Sequence, residues 1–166
     1  ALSEAWSSAC AGQGRMVLIS GEPGIGKSRL MEAFASRVSG RAVVLVAAGR
    51  CGDQTLPYQA VAEMLRSLPD WQALSAPGHR VWLAEAASVL PELREFFPDL
   101  QRPLTAEPAE ARMRLLDALC QLTMRLARGP RPLIICLDDL HCADSATLDW
   151  LSCLARHMAE QRTGLC

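Results

Sequence analysis

The stretch GEPGIGKS, residues 21–28, sets three glycines, a proline and a lysine between the apolar run MVLIS at 16–20 and a helical pattern. Few segments restrict a fold so strongly. The apolar run reads as a strand of the kind buried in a parallel sheet. From Lys27 to about Val38 the residues Leu30, Phe34 and Val38 recur at i, i+4 and i+8, one face of a helix. SGR then breaks the pattern, and AVVLVAA at 42–48 supplies a second apolar strand rich in valine. A strand, a helix and a strand with so short a crossover make a right-handed βαβ unit with a parallel sheet.

The eight residues between strand and helix carry a chemistry of their own. Gly21–x4–Gly26–Lys27–Ser28 is the phosphate-binding P-loop pattern, in the strand-before, helix-after setting that gives it meaning. Glycine permits the tight turn and keeps Cβ atoms out of a ligand's way. Successive backbone N–H groups along the loop then form an anion nest, reinforced by the positive end of the helix dipole. Lys27 would reach the β- and γ-phosphates, and the Ser28 hydroxyl would ligate Mg²⁺. Lys27 is also the only lysine, since sixteen of the seventeen basic residues are arginine. A compact ammonium fits between phosphate oxygens where a planar guanidinium does not.

A second strand signal completes the pattern. PLIICLDDL, residues 132–140, is an apolar run ending in Asp138 and Asp139. Asp138 is placed to hold a Mg²⁺ shell, and Asp139 to orient an attacking water as a base.

At 166 residues, half of them hydrophobic and 21% charged, the chain has the size of one globular domain. A net charge of −1 gives no footprint for nucleic acid or anionic lipid. No apolar run approaches the roughly 18–20 residues that span a bilayer. With no leader pattern and no initial Met, the expectation is a cytoplasmic chain excerpted from a longer protein. Seven cysteines are scattered without a CxxC pair, and Cys120, Cys136 and Cys153 sit in apolar patterns as reduced core residues. Cys136, His141 and Cys142 form no convincing metal set, because a strand points the first into the sheet and no second pair completes it.

The middle of the chain is less regular. PYQAVAEMLRSL starts a helix at Pro57, a second helix runs from about His79 to Leu90, and PELREFFPDLQRP turns between short helical pieces. Trp71, Trp82, Phe96 and Phe97 are read as core. A long helix follows from about Ala106 to Arg128, striped by Leu115, Leu119, Leu122 and Leu126 and stopped by Gly129–Pro130. A last helix follows, capped by Asp144 or Ser145.

GEPGIGKSRL, GRCGDQTLPYQAVAEML and PLIICLDDLHCADSATLDWLSCLAR together resemble the ATPase module of the STAND group of AAA-like P-loop proteins. More narrowly, they are similar to the module of bacterial large ATP-binding LuxR-type regulators and related SARP-like activators and cyclases. The resemblance implies an α/β, three-layer P-loop NTPase fold with a parallel sheet. It implies one domain over 1–166, with Walker A at 21–28, a helical insert at about 51–104 and Walker B at 133–139. It further implies phosphate contacts from Gly21, Glu22, Pro23, Gly24, Ile25, Gly26, Lys27, Ser28 and Arg29, metal contacts from Ser28 and Asp138, and catalytic roles for Lys27 and Asp139. ATP, ADP and Mg²⁺ are the implied ligands. His141 and Asp144 match the LHxAD tail of the family, in which Trp usually stands where this chain has Cys142.

The family works as an ATP-dependent switch for attached effector domains, such as a helix-turn-helix with helical repeats, and for self-association. It also implies a further strand between the first and third that these residues do not include. Residues 16–20 and the Asp-bearing strand are then expected to lack their shared neighbour, with nucleotide binding surviving better than turnover. Other readings are a stand-alone P-loop phosphotransferase, the ATPase module of a nucleotide cyclase, and a scaffold that has lost its chemistry. The four dispersed arginines of the insert, Arg66, Arg80, Arg94 and Arg102, disfavour the first, and the intact Gly-Lys-Ser and Asp-Asp pairs disfavour the last.

Overall fold

The computed structural model describes residues 1–51, 56–103 and 106–160; Cys166, part of the GRCGDQTLPY stretch and part of the insert's end lie outside them. In chain order the elements are α1 (Leu2–Cys10), α2 (Lys27–Val38), β1 (Val43–Ala48), α3 (Gln59–Arg66), α4 (Arg80–Ala86), α5 (Leu93–Phe96), α6 (Pro108–Ala127), β2 (Leu133–Asp138) and α7 (Ser145–Glu160).

β1 and β2 pair in parallel, with Val43 opposite Leu133 and Ala48 opposite Asp138. Alternation along the two strands sends their side chains to two separate cores. Leu45, Ala47 and Leu133 join Leu65, Leu83, Leu119, Leu122 and Trp150, beneath the helices from α3 onward. Ile134 and Cys136 face the other way, against Val38 and Ala42 with Trp6, Met31 and Phe34 alongside. Helices therefore cover both faces of the sheet. On its outer edge β1 has no further strand among the described residues, and the Val46 N–H donates to Ser67 Oγ at 3.4 Å instead.

The packing fixes the direction of α2. Val38, at its carboxyl end, shares a cluster with Ala42 and Ile134, near the starts of both strands. The helix thus runs antiparallel to the sheet, and Lys27 at its amino end faces the side where Asp138 closes β2.

One expected element is corrected. Residues 16–20 form no sheet strand, and Met16, Val17 and Leu18 are 58%, 39% and 77% exposed. A β-strand is held by ladder hydrogen bonds to a neighbour, and among the described residues none lies beside this segment. The helix face expected from Leu30 shifts for the same reason. Leu30 is exposed, and Met31, Phe34, Ala35 and Val38 carry the packing.

Other boundaries move slightly. α3 begins at Gln59, two residues after Pro57, because Tyr58 takes the left-handed conformation at φ 60. α4 stops at Ala86 rather than Leu90, dissolving into turns before Pro91. Phe97 is buried as expected, whereas Phe96 is 53% exposed and stacks on Trp71. Helix α1 has no counterpart among the elements expected from the sequence. α6 and its leucine stripe follow the sequence pattern closely. No helix among the described residues is long and apolar enough to cross a membrane.

Leu45, fully buried at the centre of β1, is the sharpest test of this core. Leu45→Ala is expected to cost about 2–5 kcal/mol through lost transfer energy and a residual cavity, read as a lowered urea midpoint. A loss under about 1 kcal/mol would mean that the larger of the two cores is not packed around this strand as described.

Candidate functional site

The loop at 21–28 is shaped by its glycines. Gly24 and Gly26 take φ 80 and 97, values that side-chain-bearing residues rarely adopt. Gly26 is the N-cap of α2 and supplies no side-chain cap, so the first-turn N–H groups of Lys27, Ser28 and Arg29 have no intrahelical partner. Open first-turn amides at the positive end of a helix are an anion site in waiting. Lys27 Nζ donates to the carbonyl oxygens of Gly21 and Glu22, both at 3.0 Å, drawing the loop closed around its own ammonium. Ser28 and Arg29 are exposed beside it.

β2 places the acidic pair. Asp138 is its last residue, and its Oδ1 accepts the Asp139 N–H at 2.9 Å. Asp139 lies at φ 46, turning the chain off the strand and presenting its carboxylate to solvent. His141 Nδ1 approaches Asp139 Oδ1 at 3.9 Å, with both side chains largely exposed. Among the described residues no ion pair joins Lys27 to Asp138 or Asp139. The two halves share one end of the sheet.

The turn after β2 is held from below. The Gly49 N–H donates to the Asp138 carbonyl at 2.9 Å, continuing the ladder beyond β1. A Cβ at Gly49 would collide with the Asp139 carbonyl oxygen and crowd Ala143 N and Cys142 C. Only glycine lets the two exits pass so closely. The Cys142 N–H returns to Asp139 O at 2.8 Å. Beside it Cys142 is bonded to Cys51, 91 positions earlier, with Cα atoms 4.7 Å apart.

Asp144 is held by four hydrogen bonds. Its oxygens accept from Tyr58 N at 3.0 Å, Gln59 N at 3.3 Å, Thr147 N at 2.9 Å and Thr147 Oγ1 at 2.7 Å. Of the two expected candidates, Asp144 and Ser145, it is therefore Asp144 that caps α7, and it also closes the start of α3. Burial pushes the Asp144 carboxyl up, but the hydrogen bonds from Thr147, Tyr58 and Gln59 outweigh it and hold the group below its ordinary value.

Sequence reasoning missed three features here: the double role of Asp144, the close approach at Gly49 and the Cys51–Cys142 bond. The last had a readable signal. Cys51 and Cys142 stand three and four residues past the ends of two apolar strands, and parallel neighbours bring such positions to one edge. The three cysteines expected in the core, Cys120, Cys136 and Cys153, are buried and in no disulfide. Cys136 lies away from His141 and Cys142, and the group that does converge with them contains Cys51. A cleft of about 550 Å³ lies elsewhere, walled by Tyr58, Arg112, Arg114 and Ala146, and shares none of the loop residues.

A glycine-shaped loop opening a helix and a parallel strand ending in aspartate are the arrangement that the P-loop pattern calls for. The chain matches the AAA ATPase domain family over residues 1–166 and belongs to it. No curated protein and no solved structure matches the chain.

The Asp144 geometry makes a signed prediction. A carboxyl held below its ordinary value contributes stability that is complete above the unfolded-state pKa and lost as pH falls through the folded-state one. Asp144→Asn is expected to lower stability by about 1–3 kcal/mol near pH 7, and the urea-midpoint gap to wild type to narrow as pH falls below the ordinary aspartate range. A gap of constant size across that range would remove the charge from the explanation.

Proposed function

We propose that this chain binds Mg²⁺-ATP as the regulatory switch module of a multidomain signalling or transcription regulator, with slow hydrolysis at most. The observation that carries the proposal is the uncapped start of α2, where Gly26 at φ 97 opens the first-turn amides beside Lys27. Family membership supports ATP as the nucleotide.

In this reading Gly21, Glu22, Pro23, Gly24, Ile25 and Gly26 form the cradle, and the amides of Lys27, Ser28 and Arg29 receive phosphate oxygens. Lys27 exchanges the carbonyls of Gly21 and Glu22 for the β- and γ-phosphates, so that the nucleotide replaces a contact the ammonium already makes within the loop. The Ser28 hydroxyl and the Asp138 carboxylate are hard oxygen donors, the kind that suits Mg²⁺. Bound there, the ion would neutralise charge between the β- and γ-phosphates. Asp139 is the residue proposed to orient the attacking water.

Binding and turnover make different demands on this site. Phosphate binding needs the loop and the helix start. Hydrolysis needs Asp139 held in register with the γ-phosphate, and misplacement of about 1 Å can cost on the order of 100-fold in rate. Slow turnover and the switch role are supported in this reading by the resemblance to switch-type ATPase modules. Two arginines of the insert, Arg66 and Arg80, are engaged by Glu92 and Asp99, which does not favour an acceptor lid of the phosphotransferase kind. The effector domains, and any self-association, belong to the same proposal through the resemblance to LuxR-type regulators.

The test is a titration of the chain with a fluorescent ATP analogue, with and without Mg²⁺, beside Lys27→Ala. Loss of one charge-assisted phosphate contact is expected to weaken binding by about 10- to 150-fold. Unchanged affinity in a folded Lys27→Ala would overturn the assignment of this loop.

A further inference from the structure

We propose that Cys51 and Cys142 are a reversible redox pair, and that their bond controls the turn carrying Asp139. The regulatory half of this inference rests on the nucleotide reading above; the pair itself does not.

Position is the first argument. The bond joins the exit of β1 to the turn after β2 at a Cα separation of 4.7 Å, within the range that disulfides span. The two chain exits that the bond joins both approach the backbone of the candidate water-orienting residue. The Cys142 N–H donates to Asp139 O, and Gly49, two residues before Cys51, packs against that same carbonyl. With the bond closed, the turn at Asp139 is pinned from both sides. With it open, hydrogen bonds alone hold that turn to the β1 exit.

Access is the second argument. Cys51 is exposed and Cys142 is buried, so a thiolate from solution reaches the Cys51 sulfur, and Cys142 is the leaving group. His141 lies on the same turn, and the ligating atoms of Cys51, His141 and Cys142 lie within 4.8 Å of one another. An imidazole at that range can pass a proton to the departing thiolate, and take one from the Cys142 thiol when the bond re-forms. Cys120 and Cys153 also lie side by side, but both are buried in the larger core, where a thiol from solution does not reach them.

The exchange partner is a low-molecular-weight thiol of the glutathione class. Its thiolate attacks Cys51 Sγ, the Cys51–Cys142 bond breaks, and Cys142 leaves as a thiolate that takes up a proton. A second glutathione thiolate then attacks the glutathione sulfur of the mixed disulfide, releasing Cys51. Two thiols are oxidised to glutathione disulfide, one protein disulfide is reduced to two thiols, and the two thiol protons pass to the protein. A metal site built from the same three residues is the competing chemistry. It is disfavoured because the two sulfurs are bonded to each other.

The experiment poises the 166-residue chain in glutathione buffers from reducing to oxidising, traps thiols by alkylation, and maps them by mass spectrometry. At both extremes the affinity for a fluorescent Mg²⁺-ATP analogue and the thermal midpoint are measured, for wild type and Cys51→Ser. Cys51 and Cys142 are expected to lose alkylation together in one transition. Because the Asp139 N–H holds the carboxylate of Asp138, the residue proposed to carry Mg²⁺, freeing the turn also frees that carboxylate, and the Mg²⁺-dependent affinity of the wild type is expected to differ by about fivefold or more between the two extremes. Cys51→Ser should match the reduced wild type throughout. The proposal is overturned if the two thiols stay alkylatable under oxidising buffer, if they pair with other cysteines, or if affinity is the same in both states. It is equally overturned if the reduced chain takes up Co²⁺ with a thiolate-to-metal absorption band. A pair that cycles and shifts the thermal midpoint in a chain that binds no nucleotide leaves the redox pair standing and overturns the nucleotide reading instead.

Discussion

The parallel ladder between Val43–Ala48 and Leu133–Asp138 is the constraint from which the rest follows. Parallel strands cannot be joined by a tight turn, so everything between them must cross over, and here the crossover contains α3 to α6. Because the register sets Ala48 opposite Asp138, the two chain exits leave the sheet side by side. Gly49, Cys51, Asp139, Cys142 and Asp144 owe their proximity to that alignment. A slip by one residue would send Leu45 and Ile135 to the wrong faces and pull the exits apart.

The same ladder sorts the helices. Alternation along six residues divides the strands between a large core under α3, α4, α6 and α7 and a small one under α1 and α2. The small core does one important thing: it aims the amino end of α2 at the carboxyl edge of the sheet. The start of α2 and an aspartate-bearing strand end thereby come to the same side, with no hydrogen bond or ion pair between Lys27 and the two aspartates among the described residues.

Much of this was legible in the sequence because it is local. The Gly-x4-Gly-Lys-Ser spacing, the valine-rich strand at 42–48, the leucine stripe of α6 and the cap at Asp144 each depend on a few consecutive residues. The glycines at 24 and 26 adopt the left-handed backbone that the pattern demands. What was not legible is non-local. MVLIS has the composition of a buried strand, but a strand needs a neighbour, and composition does not say whether one is there. Tyr58 and Gln59 carry no mark that a carboxylate some 85 positions away will take their amides. Nor does Gly49 advertise that another chain segment will pass against it.

The shared carboxylate has a kinetic meaning as well as a structural one. Helix starts usually fray independently, each governed by its own cap. Here Tyr58 and Thr147 give their amides to one oxygen of Asp144, so the beginnings of α3 and α7 are released by a single event. Because the joined segments are distant in sequence, the loop-closure entropy of the long crossover must be met before that contact repays it. One carboxylate thus ties the starts of two helices to a contact that raises the contact order of the fold.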